Sequence, residues 1–319
     1  MTIISHCTLD TLRDAAKALR QGHLVIFPTE TVYGLGGDAE NEEAVRLIYE
    51  TKGRPLDHPV IVHIGDLQLL DNWTSEVPQY AIALARDFWP GSMTLVLPRS
   101  HNARDFITGS QESIGIRIPA HPIALQLLRE FHYLGGNGVA APSANRFGEV
   151  SPTSAEAAEG QLGPLLSAAD MILDGGHCIV GIESTVIDCR GSSPRILRPG
   201  AITREMIQQS TGLQLEESKD SIRVSGSLES HYAPRARVLV GEVQSPGSGF
   251  VALSEVSTPP GMIRLAAPKN DVEYARVLYQ SLREGDAQGL ETIVIVPPQG
   301  EGLSEAIRDR IEKARTKGA

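Results

Sequence analysis

The chain has 319 residues, a length that allows one large domain or two domains of ordinary size. Its hydrophobic fraction of 41% and charged fraction of 21% are typical of a globular protein that buries a core. The formal net charge of -10 argues against a general nucleic-acid-binding protein. A cleft in an acidic protein can still concentrate positive charge, however.

The sequence also indicates where in the cell the protein is expected. No stretch of the sequence approaches 18 consecutive apolar residues, so no transmembrane helix is predicted. The N-terminus lacks a basic segment followed by an apolar run, so no secretory signal is expected. Three isolated cysteines predict neither a disulfide framework nor a zinc site; they are Cys7, Cys178 and Cys189. We therefore expect a cytoplasmic protein.

The N-terminal segment predicts a helix, a strand and a second helix. The first helix is expected from apolar residues at helical spacing, which are Leu12, Ala15, Ala16 and Leu19. Asp10 is its expected cap and Gly22 its expected end. Residues 24–27 then predict a short buried strand, and residues 44–48 mark the next helix, which ends near Lys52.

The middle of the chain alternates strands with helices. Apolar runs of strand length are found at 59–64, 93–97, 113–119 and 138–141. The third run alternates cleanly, with three isoleucines on one face and Ser113, Gly115 and Arg117 on the other. A helix is expected to begin at Pro122, because proline suits the first turn.

Further along, Thr153 and Glu156 have the spacing of a capping box before an alanine-rich helix. Residues 184–189 and 195–198 are predicted to pair as a hairpin. Thr203 is then expected to cap the last helix of this part of the chain.

A polar stretch at 211–235 is interpreted as a linker. Beyond it, strands are expected at 237–243, 250–254, 262–266 and 292–296, with a helix between the last two. Strands interleaved with a helix favour a small α/β domain. The sequence therefore predicts a larger domain at 1–210, a linker at 211–235 and a smaller domain at 236–319.

Three short motifs point to an anionic ligand. The strand at 24–27 continues into Phe-Pro-Thr-Glu-Thr-Val-Tyr-Gly-Leu-Gly-Gly37, which is expected to be a turn rich in glycine and hydroxyl groups. Lys52-Gly-Arg-Pro follows the next helix, and Pro-Ser-Ala-Asn145 follows the strand at 138–141. Loops that leave strands are where α/β proteins hold ligands, and two neighbouring cations favour a phosphate. The glycine-rich run is not a P-loop, because no Gly-Lys-Ser/Thr follows.

In this order the motifs resemble those of the L-threonylcarbamoyladenylate synthases of the YrdC type, in the long form with an additional C-terminal domain. The resemblance implies an α/β fold: a twisted, mixed-sheet YrdC-like N-terminal domain with a nucleotide cavity, and a smaller Rossmann-like α/β C-terminal domain. It also implies a nucleotidyltransferase that joins L-threonine, bicarbonate or CO₂, and ATP into threonylcarbamoyl-AMP, releasing pyrophosphate. The product is the donor for threonylcarbamoyl modification of adenosine in tRNA.

The implied reaction brings two anions together, since a carbamate oxygen attacks the α-phosphorus of ATP. Such a step depends on fixed positive charge and hydrogen-bond donors more than on a nucleophilic side chain. Lys52 and Arg54 are therefore the expected catalytic residues, holding the triphosphate with a compact charge and a bidentate fork. Taken by themselves, both could instead be cations at the solvated end of a helix, facing its dipole.

The resemblance assigns further residues to ATP, namely His58, Ser113, Ser143, Asn145, Ser151, Arg198 and His231. Without it, Ser143 and Asn145 would be read as ordinary turn residues. Arg195 and Arg198 lie on opposite faces of their strand, so only one is expected in the cavity. Relatives often have Asn where this chain has His58, whose protonation would then affect binding.

The residues that match threonine contacts are Thr31, His63, Arg117, Ala141 and Ser184. Arg117 is expected to pair with the threonine carboxylate through charge-assisted hydrogen bonds. On the pattern alone, Arg117 and Ser113 could form the solvent side of a half-buried strand, and a single histidine such as His63 is more often structural. Ala141 can contribute only its backbone or its shape.

The linker keeps the family residues Gly226, His231, Tyr232 and Pro234, although the rest of its sequence departs from the pattern. It is expected to close over ATP. No group of His, Cys, Asp and Glu has metal-ligand spacing, so Mg²⁺ is expected to arrive on the triphosphate. No redox or organic cofactor is implied. The smaller domain is interpreted as a lid or docking partner.

Two other functions fit parts of the sequence. Carbamoyl-adenylate-forming transferases of hydrogenase maturation share the nucleotide domain, but they carry Cys-x-x-Cys repeats and an acylphosphatase segment that this sequence lacks. An RNA-binding module of the same fold is the other alternative, which the acidic composition and the aromatic fraction of 5% disfavour. The expected partners are L-threonine, bicarbonate or CO₂, ATP and the machinery that transfers the threonylcarbamoyl group to tRNA. Binding of tRNA itself is expected to be weak, and no membrane is involved.

Overall fold

The computed structural model of the chain describes residues 3–217, 222–224, 232–241 and 245–315. In these ranges the chain forms two sheets, one of ten strands and one of four. No helix within the described ranges is long and apolar enough to cross a membrane.

The larger sheet mixes parallel and antiparallel neighbours. Its strands are β1 (Ile3–Ile4), β2 (Val25–Phe27), β3 (Gly34–Asp38), β4 (Ile61–His63), β5 (Met93–Pro98), β6 (Ser113–Arg117), β7 (Val139–Ala140), β8 (Met171–Leu173), β9 (Thr185–Asp188) and β10 (Arg195–Arg198). Their order across the sheet is β1-β8-β2-β3-β7-β4-β6-β5-β9-β10. β4 and β6 are parallel, whereas β3 and β7 are antiparallel. The predicted hairpin is present, because β9 and β10 pair antiparallel.

Helices cover both faces of this sheet. They are α1 (Leu9–Arg20), α2 (Glu42–Lys52), α3 (Leu70–Trp73), α4 (Gln79–Phe88), α5 (Asp105–Thr108), α6 (Pro122–Tyr133), α7 (Ala155–Leu162) and α8 (Arg204–Thr211). Ile26 and Phe27 are neighbours on β2 and enter different apolar clusters, because alternate strand residues face opposite sides. The Phe27 cluster includes Leu19 of α1 and Phe131 of α6, and the Ile26 cluster includes Ile48 of α2.

Two of the predicted helix caps are wrong, because in each case a residue close by in the sequence caps the helix instead. Thr8, not Asp10, caps α1, and its hydroxyl accepts a hydrogen bond from a backbone N–H three residues further on. Ser154, not Thr153, caps α7 in the same way, from an extended backbone conformation. Thr203 caps α8 as predicted. Several adjacent residues can cap a helix, so the backbone conformation decides which one does.

The glycine-rich segment predicted to be a turn is a strand, β3. It lies between β2 and β7. A Cβ atom on Gly36 would lie 2.8 Å from the ring of Phe27 and 2.9 Å from the side chain of Val139. Glycine is therefore required because β3 crosses a crowded part of the core. The prediction of a turn was wrong because glycine content alone does not distinguish a turn from a close approach between strands.

The smaller sheet is entirely parallel. Its strands are β11 (Arg237–Val240), β12 (Gly249–Val251), β13 (Ile263–Ala266) and β14 (Thr292–Ile295), in the order β11-β14-β12-β13. Two helices, α9 (Asp271–Ala287) and α10 (Leu303–Arg315), pack on one face with Val251 and Ile293. On the other face, the guanidinium of Arg264 lies 5.1 Å from the ring centre of Phe250. The helix α10 was not predicted from the sequence.

The two sheets are joined by a continuous apolar cluster. Val150 and Ile182, from the larger part of the chain, belong to the same cluster as Leu278 and Tyr279 of α9. The contact is close at Gly181, where a Cβ atom would lie 2.4 Å from the Cα atom of an α9 residue. The smaller sheet therefore packs directly against the segment that leads into β9.

We expect Gly36→Ala to lower the free energy of unfolding by about 1–3 kcal/mol, because the added methyl group overpacks the core around Phe27. Gly160→Ala in α7 is the matched control. It meets no atom within 4 Å and should stabilise the protein by about 1 kcal/mol. Chemical denaturation of the three proteins measures both effects, and a loss of stability equal in the two variants would contradict the packing argument.

Candidate active site

Segments that are distant in the sequence converge on one cavity. Eight of the predicted site residues line it, namely Thr31, Arg54, His63, Arg117, Ala141, Ser143, Ser184 and Arg198. They come from the loop after β2, the end of α2, the strands β4 and β6, the segment after β7 and the hairpin β9–β10. The guanidinium of Arg54 and the hydroxyl of Ser143 thus share one hollow, although 89 positions separate them.

Three guanidinium groups in this cavity are withdrawn from solvent. The exposed fractions of Arg54, Arg117 and Arg198 are 7%, 4% and 3%. Burial lowers the pKa of Arg54 and of Arg198, but a guanidinium stays charged at neutral pH. The arrangement is suited to a ligand that carries several negative charges.

Lys52 lies behind the cavity wall, and its exposed fraction of 2% rules out a solvated helix end. α2 ends here because Gly53 adopts a left-handed conformation with φ 66°. The ammonium donates hydrogen bonds to the carbonyl oxygens of Ser143 and Asn145. Burial, followed by the charge of Arg54, lowers the pKa of Lys52. Lys52 therefore holds the loop that carries Ser143.

Arg54 is fixed by the loop that follows it. Its Nη2 donates to the carbonyl of Pro59 at 2.8 Å, and its guanidinium lies 5.9 Å from the ring centre of Phe147. His58 contacts the same ring edge-on, with centroids 5.6 Å apart, and is not a lining residue of the cavity. Burial, followed by the charge of Arg54, lowers the pKa of His58.

Arg117 is paired with a buried carboxylate that the sequence analysis missed. Its Nη2 donates to Glu30 Oε1 at 2.6 Å, and Glu30 Oε2 accepts from the backbone N–H of Ala120 at 2.9 Å. Burial by itself would raise the pKa of Glu30, but the charge of Arg117 reverses the direction and lowers it. The solvent-facing interpretation of β6 is therefore wrong, because Arg117 is almost fully buried. Among the described residues, nothing accepts a hydrogen bond from its Nη1.

His63 lies beside Arg117 at the end of β4. Its ring lies 6.1 Å from that of Phe27, edge to face, and its Nδ1 has no hydrogen-bond partner among the described residues. Burial, followed by the charge of Arg117, lowers the pKa of His63 to about 3. The imidazole is therefore neutral at physiological pH and offers a ligand hydrogen bonding without charge.

Hydroxyl groups also line this cavity. Thr31 and Thr29 share a hydrogen bond of 2.8 Å between their hydroxyls, and Thr29 Oγ1 donates to the carbonyl of Val32 at 2.6 Å. Ala141 lines the same cavity without a polar side chain, as expected. The loop after β2 is therefore shaped by its own side chains.

Arg198 is oriented by Ser184. Its Nε donates to the Ser184 carbonyl at 3.0 Å and its Nη2 to the Ser184 hydroxyl at 3.1 Å. Arg195 lies outside the cavity and forms an ion pair of 2.7 Å with Asp188. The expectation that one of the two arginines enters the cavity thus agrees with the structure.

Four other predicted residues do not line the cavity. Asn145 donates from Nδ2 to the carbonyls of Arg146 and Glu149 at 2.7 and 2.8 Å, and Ser151 donates to Glu183 at 2.5 Å. Both are buried in the wall. The other two are His58 and Ser113. Ser113 lines a smaller, mainly apolar hollow on the same side of the sheet, with Val60, Val96, Val186 and Val224. His231 and Gly226 lie outside the described residues.

Glu183 is a second carboxylate that the sequence analysis missed. It lines the cavity, together with Tyr232. Burial by itself would raise the pKa of Glu183, but the charges of Arg310 and Arg198 hold it at about 2. A single acidic residue inside a neutral motif, as in Pro-Thr-Glu30-Thr and Ile-Glu183-Ser, was the signal available in the sequence. Arg310 gave no comparable signal, because it lies in a helix rich in both charges.

A wider cleft between α7 and α9 has a different character. Arg146, Arg235 and Arg283 line it together with Glu149 and Asp286, so the two signs of charge are mixed. This cleft therefore does not concentrate positively charged hydrogen-bond donors as the first cavity does. No cluster of three metal-ligating side chains occurs in the part of the chain that the structure describes.

Comparisons with known proteins agree with this geometry. A family model described as "Telomere recombination" matches residues 17–200, and one described as "Threonylcarbamoyl-AMP synthase, C-terminal domain" matches residues 202–316. Threonylcarbamoyl-AMP synthases of Pyrococcus abyssi and Bacillus subtilis are 39% and 37% identical to the chain. Both matches cover 95% of this chain, and 93% and 92% of the relatives.

A solved structure shows the same architecture. Pyrococcus abyssi Sua5 complexed with L-threonine superposes with a TM-score of 0.87 at 36% identity, over 99% of this chain and 98% of that protein. The predicted fold, a mixed-sheet domain followed by a smaller α/β domain, is confirmed by this match and by the two sheets.

The buried neutral state of His63 predicts a pH dependence of stability. The unfolded chain protonates this histidine near its ordinary pKa of 6.5, whereas the folded protein does so near 3. Between these values the unfolded state binds more protons, so the free energy of unfolding falls as the pH decreases below about 6.5. We expect His63→Gln to flatten this part of the stability curve between pH 7 and pH 5.

Chemical denaturation across that pH range measures the effect. His101→Gln, at an exposed histidine, is the control and should leave the slope of the wild type unchanged. Identical slopes in the wild type and His63→Gln would mean that this imidazole is already charged in the folded protein.

Proposed function

Because the chain belongs to the threonylcarbamoyl-AMP synthase family, we propose that it joins L-threonine, bicarbonate or CO₂, and ATP into threonylcarbamoyl-AMP with release of pyrophosphate. The observation that carries this proposal is the convergence of three buried guanidinium groups with neutral hydroxyls in one cavity. Two anionic reactants can approach each other only where fixed positive charge offsets their repulsion.

We assign the end of the cavity near β4 and β6 to threonine. Arg117 would bind the carboxylate through its Nη1, since Glu30 holds the other side of the guanidinium in place. Thr31, His63 and Ser184 offer neutral groups at this end, and the small side chain of Ala141 leaves room for the amino acid. A pre-oriented guanidinium binds a carboxylate with little loss of freedom.

We assign Arg54, Arg198 and the loop at Ser143 to the phosphates of ATP. Lys52 supports this loop from behind and adds positive charge. The apolar hollow beside Ser113 would take the adenine base. Asn145 and Ser151 shape the wall, and His58 and His231 complete the nucleotide side in this proposal.

The reaction has two steps. The threonine amine forms a bond to the carbon of CO₂ and loses a proton, which gives a carbamate. A carbamate oxygen then attacks the α-phosphorus, and the bond from this phosphorus to pyrophosphate breaks. Lys52, Arg54 and Arg198 offset the charge that accumulates during the second step. Mg²⁺ would enter on the triphosphate and offset part of its charge.

We retain the division of the chain into a larger domain at 1–210, a linker at 211–235 and a smaller domain at 236–319. Two described parts of the linker lie near the proposed nucleotide side, which supports closure of the linker over ATP. Arg223 pairs with Asp57 at 2.9 Å, and Tyr232 lines the cavity. We also retain the expectations of a cytoplasmic location, of transfer to tRNA by separate downstream machinery, and of weak tRNA binding.

The purified protein should catalyse exchange of pyrophosphate into ATP only when threonine and bicarbonate are both present with Mg²⁺, because the adenylate forms reversibly. Omitting either co-substrate should reduce exchange to background. Absence of exchange in the complete mixture would refute the proposed activity. Filter binding of RNA across a salt series then tests the alternative, for which a steep salt dependence is expected.

Arg54→Met should lower kcat/KM for ATP about 100-fold, equivalent to roughly 3 kcal/mol, because a buried charge near the phosphates is removed. Arg46→Met, on the exposed face of α2, is the matched control and should behave as the wild type. Steady-state kinetics with thermal unfolding of each variant separates this effect from loss of folding. Equal kcat/KM in folded Arg54→Met and wild type would exclude the assigned role.

A further inference from the structure

The C-terminal domain binds one carboxylate of the cavity wall. Within the larger domain, Glu183 Oε1 accepts a hydrogen bond from Ser151 at 2.5 Å. Glu183 Oε2 accepts from Tyr279 Oη and from Arg310 Nε, each at 2.9 Å. Tyr279 lies on α9 and Arg310 on α10, so two helices of the smaller domain fix a side chain that faces the proposed ligand.

Arg310 contacts three segments of the wall and has an exposed fraction of 0%. Besides the Glu183 carboxylate, its Nη2 reaches the carbonyls of Pro199 and Glu183 at 3.0 and 3.4 Å. Its guanidinium also lies 5.5 Å from the ring centre of Tyr232. One side chain of α10 therefore connects the start of β9, the end of β10 and the linker.

Two of these segments continue directly into cavity residues. Glu183 is followed by Ser184, and Pro199 is preceded by Arg198. Arg198 donates two hydrogen bonds to Ser184, at 3.0 and 3.1 Å. Since Arg310 holds the backbone on both sides of this pair, it influences where the guanidinium of Arg198 lies.

The charge of Glu183 explains why this support is needed. Burial by itself would raise the pKa of Glu183, but Arg310 and Arg198 hold it at about 2. The carboxylate is therefore ionised at neutral pH, beside a cavity suited to anions. Without Arg310, the charge of Arg198 alone would offset that of Glu183, and the cavity would present less positive charge to an anionic ligand.

We propose that Arg310 is a positioning residue of the active site: with Tyr279 it pairs with Glu183, so that Arg198 keeps its charge for the nucleotide. This inference rests on the proposed function. It gives the C-terminal domain a direct part in binding ATP, beyond that of a lid.

The test compares Arg310→Met with the double variant Glu183→Gln/Arg310→Met. Arg308→Met on the same helix is the control, because Arg308 donates to the carbonyls of Pro298 and Gly300 within the smaller domain. Each variant is assayed for KM and kcat at a temperature where thermal unfolding shows that it is folded. Calorimetry gives ATP affinity without turnover.

We expect Arg310→Met to raise KM for ATP about tenfold or more at pH 8.5, and by less at pH 6. Removing Arg310 raises the pKa of Glu183, so lowering the pH protonates the carboxylate and removes the negative charge that Arg198 would otherwise offset. The ratio of variant to wild-type KM for Arg310→Met therefore decreases as the pH is lowered, whereas the ratio for Arg308→Met stays constant. The double variant lacks the unpaired charge at position 183 and should recover most of the loss, because Asp309, the other carboxylate that pairs with Arg310, keeps its ion pair with Lys313.

Unchanged KM in folded Arg310→Met at both pH values, or no recovery in the double variant, overturns the inference. If Arg310→Met does not fold, Tyr279→Phe replaces it, because it removes one hydroxyl from Glu183 and should shift KM in the same direction. An unchanged KM in that variant also overturns the inference. Wild-type protein that neither turns over nor binds ATP refutes the proposed function as well, whereas an active wild type with unaffected variants refutes this inference alone.

Discussion

This structure depends on one constraint: it must hold positive charge in a cavity that bulk water hardly reaches. Arg54, Arg117 and Arg198 would lose their hydration in the cavity without compensation, a cost of several kcal/mol per ion. The chain compensates with backbone carbonyls and with two carboxylates, Glu30 and Glu183. Since the cations outnumber the carboxylates, the cavity retains positive charge for a ligand.

The smaller domain contributes to this compensation of buried charge. Its apolar cluster continues into the larger domain at Val150 and Ile182, and α9 lies against Gly181. The same contact brings Tyr279 and Arg310 to Glu183. Burial of apolar surface between the domains therefore also fixes the polar groups of the cavity, because the residues concerned belong to the same two helices.

The polar groups of the site divide into those that face the cavity and those that hold its wall. Lys52 and Asn145 donate hydrogen bonds to backbone carbonyls, whereas Ser143 and Thr31 line the cavity. His63 stays neutral because it is buried beside Arg117. These hydrogen bonds hold the wall of the cavity in place, and groups held in place favour reactions that bring charged partners together.

Lys52, Arg54 and Ser143 were marked as site residues by the resemblance to a known family. The sequence by itself determined the helices and strands with clear periodicity and the hairpin β9–β10. These depend on local spacing, which neighbouring residues alone encode. Only the tertiary structure decided that β3 is a strand, that Arg117 is buried and paired with Glu30, and that Arg310 reaches Glu183. Each of these depends on which distant segments meet, and partners 87 or 127 positions away leave no pattern in the sequence around a residue.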